Sequence, residues 1–203
     1  MSYRSMAGPE DLWIMKRNWQ IKFLLSQGLL PHHEFLDLGC GPLRGGIPII
    51  EYLNISNYHG LDYQRTAIVA AKIELRDNGL EWKSPKLNTL QLAMPWMQFD
   101  FIWSFSVVMH VYDDDVDAFF NFVRNSLKPH GVAFANVNYR GQDSMTKWGE
   151  FPVLWRSFDF YAVSAKGMDV EEVGLLHDLG HNSGRVDQDN QMMLKFTRIE
   201  NPL

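Results

Sequence analysis

The 203-residue chain predicts an α/β fold: one doubly wound, mostly parallel sheet with helices on both faces. Three observations carry this. Residues 35–38 are a short apolar run, interrupted only by Asp37, that ends at Gly39 and Gly41 and passes into an apolar helical stretch at 47–53. The same order, a short apolar run and then a longer helical pattern, recurs at 58–62 with 64–78 and at 99–105 with 113–127. Helical crossovers of this kind join strands that run parallel.

Residues 1–8 read as a loose lead-in. Pro9, Glu10 and Asp11 open a helix: proline is tolerated in the first turn, and acids favour its positive end. Leu12, Ile14, Met15, Trp19, Phe23 and Leu24 recur at helical spacing, and Gly28 stops the pattern. Trp13 and Trp19 read first as packing residues. After the 35–38 strand, Gly39 and Gly41 permit a tight turn and a close approach of backbone to a ligand. Pro48 is tolerated in the first turn of the following helix. Asp62 closes a second strand. Ala67, Ile68, Ala71 and Leu75 form one face of the next helix, which Asn78 and Gly79 terminate. Pro85 breaks the chain before a short third strand at 87–90.

Residues 99–105 form a fourth strand. Asp113, Asp114 and Asp115 suit the N-terminus of the helix after it, which buries Val116, Phe119, Phe120, Val123 and Leu127. Residues 132–138 are a fifth strand, 139–147 a polar loop, and 149–156 an aromatic lid or edge segment. A short helix at 158–166 ends at Gly167, and two last strands, 169–176 and 191–199, are joined by 177–190. No internal repeat or low-complexity tract interrupts the chain. It reads as one domain over 1–203: a helical cover (1–30), a cofactor-binding core (31–138) and a substrate side (139–203).

Composition narrows the classes. Hydrophobic residues make up 46% and charged residues 21%, as in globular proteins. A net charge of −5 argues against a broad nucleic-acid footprint, which needs clustered Lys and Arg. Cys40 is the single cysteine, so an intrachain disulfide and a cysteine metal cage are both excluded. No run approaches the roughly 18 apolar residues of a membrane span, and the N-terminus has no apolar signal core. The expectation is a cytoplasmic protein, monomer or homodimer.

The motifs resemble those of class I S-adenosylmethionine-dependent methyltransferases over about residues 34–138. Asp37-x-Gly39-x-Gly41 is similar to that family's first motif and Leu61-Asp62 to its acidic second motif. Residues 99–102 with 106–111 resemble the fourth strand and the helix start after it. Residues 127–131 resemble the turn before the fifth strand. The resemblance implies a Rossmann-like sheet of seven strands ending in an antiparallel hairpin, with S-adenosyl-L-methionine as cofactor. It places cofactor contacts at Asp37, Leu38, Gly39, Cys40, Gly41 and Arg44, at Asp62 and Tyr63, at Asn88, and at Ser104 and Phe105. Asp62 then meets ribose hydroxyls and Asn88 the adenine, unless Asn88 is a surface-turn residue. It also implies that the N-terminal helix covers the cofactor cleft. A third glycine of a dinucleotide fingerprint would fall at 44, where the chain has Arg44, which weakens a pyrophosphate-binding reading.

Methyl transfer from a sulfonium is an in-line displacement. Positioning does most of the work, and a hydroxyl or ammonium acceptor also needs a base. His110, just after the fourth strand, is the candidate base because its ordinary pKa lies near neutrality; a structural histidine at a helix start is the alternative. Tyr139 and Arg140 lie on the same edge. Arg156 and Arg185 are candidates for an anionic acceptor, with a solvated surface role as the alternative for each taken alone, and His181 for a substrate contact. His177 and His181 have a spacing that binds metal only on a helix face, and Gly180 argues against a helix, so no metal is expected. Ser104-Phe105-Ser106 stands where amino-methylation of DNA bases would need a Pro-Pro-Tyr-type element. Cys40 lies in the cofactor turn and so leaves no thiolate nucleophile for pyrimidines. The expected function is methylation of O or N on a small molecule. The alternatives are a nicotinamide or nucleotide-sugar oxidoreductase and a non-catalytic binding protein of the same fold.

Overall fold

The computed structural model describes residues 3–90, 97–139, 144–149 and 151–199. Five strands run parallel: β1 (Phe35–Leu38), β2 (Tyr58–Asp62), β3 (Lys86–Thr89), β4 (Phe99–Ser104) and β5 (Leu127–Tyr139), in the order β3-β2-β1-β4-β5. Beyond β5 the sheet turns antiparallel. β9 (Met192–Arg198) pairs with β5, and β8 (Met168–Leu175) pairs with β9. These seven strands are the expected sheet with its terminal hairpin. Chain direction across the sheet reverses at β1, whose neighbours β2 and β4 leave a crevice at their carboxyl ends.

Alternation along the strands feeds two cores. Phe35, Phe101 and Trp103 face α1 (Trp13–Ser26), α2 (Gly46–Tyr52) and α3 (Arg65–Asp77). Leu36, Leu38 and Ile102 face α4 (Asp113–Ser126) and α5 (Phe158–Ser164). A last short helix, α6 (Val186–Asp189), lies between β8 and β9. α1 ends as expected: Gly28 takes φ +88°, and the Leu29 amide returns to the Leu24 carbonyl at 3.0 Å. Among the described residues no helix is long and apolar enough to cross a membrane.

Three boundaries differ from the sequence reading. The fourth strand stops at Ser104, and residues Val108–His110 form a 3-10 turn, so His110 precedes α4 instead of starting it. Strand β5 begins at Leu127, its register jumping from Leu127 to Val132 across a bulge. Gly131 sits in that bulge because a Cβ there would fall 2.6 Å from the Phe99 carbonyl. Third, the segment expected to be a polar loop followed by a lid or edge segment is a hairpin at the sheet edge, β6 (Ser144–Trp148) and β7 (Phe151–Arg156). It joins the sheet through two parallel pairings, Asn138 with Trp155 and Tyr139 with Arg156. Every residue of β6 is exposed, so no inside–outside alternation marks it in the sequence. Arg140 lies outside the described residues.

Candidate functional site

The turn after β1 is shaped by backbone demands. Gly39 and Gly41 have φ of +86° and +51°, which side chains of L-residues rarely adopt. A Cβ on Gly39 would also fall 2.2 Å from Val107, on the loop after β4. A Cβ on Gly41 would meet nothing within 4 Å, so the turn borders open space. The turn is bolted to β2. The Gly39 and Cys40 amides both donate to the Leu61 carbonyl, at 2.7 and 3.0 Å. Asp62 accepts from the Gly41 amide at 2.9 Å and, through its other oxygen, from the Gln64 amide at 2.8 Å. Burial raises the Asp62 pKa, and the two amide bonds oppose that shift.

α1 covers this turn. Gln20 accepts from the Trp103 indole at 2.8 Å and lies so close to Gly45 that a Cβ there would fall 2.2 Å from its oxygen. Arg17 donates to the Arg44 carbonyl at 3.2 Å and pairs with Glu74 of α3 at 2.6 Å. Glu74 also takes Arg4 and the Tyr3 hydroxyl, so one buried carboxylate fastens the N-terminal segment over α3. On its other side Trp19 donates to the Leu179 carbonyl at 2.9 Å. α1 thus bridges the glycine turn and the β8–β9 connection.

The carboxyl edge of β4 and β5 is built from side chains. Ser106, at φ +61°, donates its amide to Asn136, and a chain of amides follows: Asn136 to Gln191 at 2.6 Å, then Gln191 to Asn138 at 2.9 Å. His110 Nδ1 lies 2.6 Å from the Pro152 carbonyl of β7. A carbonyl only accepts, so Nδ1 carries the proton and Nε2 the lone pair. Burial lowers the His110 pKa, which favours the neutral ring. Trp148 and Phe151 of the hairpin flank the ring, at 6.1 and 5.8 Å between centroids.

A family model described as a methyltransferase domain matches residues 36–133. Magnesium protoporphyrin IX methyltransferase from Synechocystis, with S-adenosylhomocysteine bound, superposes with a TM-score of 0.71 at 14% identity, covering 98% of this chain and 93% of that one. An S-adenosylmethionine-dependent methyltransferase from Clostridium acetobutylicum gives 0.68 at 15% identity, with 98% and 96% covered. The chain has the class I S-adenosylmethionine-dependent methyltransferase fold. Among curated proteins, ubiquinone biosynthesis O-methyltransferase of Bartonella tribocorum is 33% identical over 102 residues, 50% of this chain and 39% of that protein. Its counterpart in Brucella melitensis is 33% identical over 107 residues, 52% of this chain and 41% of that protein. The chain therefore spans about two fifths of the length of these curated relatives.

On this fold the residues expected to contact the cofactor differ in placement. Gly39, Gly41 and Asp62 form the turn and its brace. Tyr63 stands 82% exposed beside Asp62, and Asn88 is exposed on β3. Asp37 is turned inward instead. The Tyr58 hydroxyl donates to it at 2.5 Å, and burial lifts its pKa to about 7. Leu38 belongs to the core on the α4 face, and the Ser104 hydroxyl donates to the Leu38 carbonyl at 3.1 Å, tying β4 to β1. Phe105 stacks on Trp103 at 5.4 Å. Cys40 is buried, and that burial raises its thiol pKa. Arg44 is buried, donates to the Ala7 carbonyl and has its pKa lowered to about 10 by burial.

On the acceptor side one expectation is corrected. Arg156 is no free cation for an anionic acceptor. Its guanidinium is 2% exposed and donates to Asp113, Val108 and Val111, with the Phe160 ring 4.5 Å away. It braces the His110 turn against α4. Tyr139 lies at the end of β5 beside Glu172, whose carboxylate raises its hydroxyl pKa. Arg185 pairs with Asp11 at 3.1 Å. His181 is fully buried under α1, its Nδ1 on Asp189 at 2.8 Å. Among the described residues no group of three or more His, Cys, Asp or Glu could hold a metal ion. Sequence reasoning missed Lys16, buried on α1. Its signal was a lysine on the same stripe as Leu12, Trp19 and Phe23.

Proposed function

We propose that this chain transfers the methyl group of S-adenosyl-L-methionine to oxygen or nitrogen of a small-molecule acceptor, working as a single cytoplasmic domain. The supporting observation is the glycine turn braced by Asp62. Its open side, its bolting to β2 and its cover by α1 fit a cofactor with an amino-acid tail and a ribose. The bound sulfonium supplies an electrophilic methyl carbon. The chain's own part is to hold both partners in line, keep water out and handle a proton. Asp62 lies at the end of β2, where a carboxylate meets ribose hydroxyls. His110, neutral with its lone pair on Nε2, offers a hydrogen-bond acceptor to the substrate under the β6–β7 hairpin. A net charge of −5 supports a small acceptor over nucleic acid.

Calorimetry tests this first. S-adenosylhomocysteine is expected to bind with one site per chain and NAD is expected not to bind. Binding of NAD in its place would sink the reading and favour an oxidoreductase on the same sheet.

A further inference from the structure

We propose that His181, backed by Asp189 and facing Lys16, rather than His110, is the proton acceptor of the reaction, and that the acceptor group is a hydroxyl. This rests on the methyltransferase reading and deepens it. The three residues come from α1 and the β8–β9 connection, and they meet beneath α1 beside Phe105. His181 Nδ1 lies 2.8 Å from Asp189 Oδ1, which also accepts from the Ser183 amide at 2.9 Å. The connection is pinned around them: the His177 amide donates to the Asp189 carbonyl and the His181 amide to the Leu176 carbonyl, each at 2.8 Å. With Nδ1 donating to a carboxylate, Nε2 holds the lone pair.

That Nε2 is buried and has no hydrogen-bond partner among the described residues. A buried polar atom left unpaired costs on the order of 1–3 kcal/mol, a cost removed when a ligand supplies the partner. Lys16 adds a second, independent sign. It is 6% exposed, and its ammonium makes no hydrogen bond or ion pair among the described residues. It stands 6.0 Å from the Phe105 ring, and Phe105 in turn lies 6.0 Å from His181. A buried base with no hydrogen-bond partner and, near it, a lysine ammonium whose recorded contact is the Phe105 ring suit a group that gives up a proton and gains negative charge.

A hydroxyl does both. An amine attacks through its own lone pair and needs no base beforehand, and its ammonium form is repelled by Lys16 and Arg44. As the acceptor oxygen bonds to the methyl carbon, the carbon–sulfur bond breaks and its electron pair stays on sulfur. The hydroxyl proton passes to Nε2, and the imidazolium faces the Asp189 carboxylate. Lys16 sits beside the oxygen while charge develops on it.

The pH dependence follows from the groups that face the pair. His181 is lowered by burial, with Asp189 raising it and Lys16 and Arg44 lowering it. Lys16 is lowered to about 7 by burial, Arg44 and Arg185, against Asp189 and Asp11. The rate therefore falls in acid as His181 protonates, and falls above about pH 7 as Lys16 loses its charge.

The test uses the full chain with catechol, benzoate and benzylamine as probes. Catechol is expected to be methylated and benzylamine not. His181→Asn is expected to lower kcat by about a hundredfold, the usual scale for a lost base. S-adenosylhomocysteine affinity should hold within about twofold, since no cofactor contact is removed. Lys16→Met removes the alkaline limb. Asp189→Asn, which keeps the side chain's volume, lowers the His181 pKa read by nitrogen-15 NMR, and the wild-type spectrum shows the proton on Nδ1. Preference for benzylamine, no transfer to catechol, unchanged kcat in His181→Asn, or a proton on Nε2 would each overturn the proposal. If wild-type chain fails to bind S-adenosylhomocysteine, the methyltransferase reading itself fails, which is a separate outcome.

Discussion

The two loops at the carboxyl edge of the sheet are held differently: the glycine turn after β1, on the proposed donor side, is fixed to β2 largely by main-chain atoms, whereas the loop after β4, on the proposed acceptor side, is fixed to β5, β9 and the β6–β7 hairpin by side chains. On the donor side the Gly39 and Cys40 amides reach the Leu61 carbonyl, and Asp62 seals the turn through two more amides. On the acceptor side the loop after β4 hangs on Asn136, Gln191 and Asn138, on Arg156, and on the Nδ1 contact of His110. A cradle made of backbone tolerates changes in its side chains provided the glycines stay. An edge made of long side chains is retuned by single substitutions. The division fits the proposed work: one cofactor needs one cradle, while acceptor chemistry would be set by which side chains meet at the other edge.

The difference can be broken most directly at Arg156. Arg156→Met keeps much of the volume but leaves the Val108 and Val111 carbonyls without their donor. We expect a loss of about 3 kcal/mol by urea denaturation, because buried acceptors lose a charged partner; the exposed Asp113 adds little. A loss under about 1 kcal/mol would show that the His110 turn does not depend on this brace. Gln191→Leu comes next. It strands one amide hydrogen of Asn136 and the carbonyl oxygen of Asn138, both inside the protein, for an expected loss of about 2 kcal/mol. Neither substitution touches the glycine turn, so S-adenosylhomocysteine affinity should survive both at temperatures where the variants remain folded.

The donor half answers through affinity instead. Asp62→Ala is expected to weaken S-adenosylhomocysteine binding more than about tenfold, or about 1.4 kcal/mol, by calorimetry. Unchanged affinity would remove Asp62 from the ribose site. This half was also the readable one. A positive φ at Gly39 and Gly41 is a demand on residue type, so it is written locally in the sequence, and so is an acidic residue at the end of β2. The acceptor half was not. Arg156 reaches Asp113, Val108 and Val111 across more than forty positions, and no spacing rule shows such a meeting. Arginine beside aromatic residues looked like a free cation from sequence alone. β6 carries no alternation because it has no buried face. His181 was picked out by its type, but Asp189 and Lys16 became visible only once the β8–β9 connection was seen folded under α1.

The smallest effect on stability should come from Trp148, which sharpens the comparison from the outside. Trp148 is 45% exposed, and among the described residues its ring pairs are with Phe151 and His110, each at 6.1 Å between centroids. Trp148→Ala should therefore cost no more than about 0.5 to 1 kcal/mol in folding, the usual range for a surface aromatic contact. If the hairpin walls the acceptor side, the same change raises the acceptor KM severalfold, because an aromatic face against a small substrate contributes on the order of 1 kcal/mol. S-adenosylhomocysteine affinity should not move, since among the described residues the hairpin pairs with the sheet at the far end of β5, at Asn138 and Tyr139. A change in S-adenosylhomocysteine affinity in this variant would mean that the two edges are coupled through the loop after β4. The glycine turn touches that loop at Val107, so coupling would travel by the contact that forbids a side chain at Gly39. A variant with both constants unchanged would instead leave the hairpin outside the acceptor site and shift attention to the wall formed by α1.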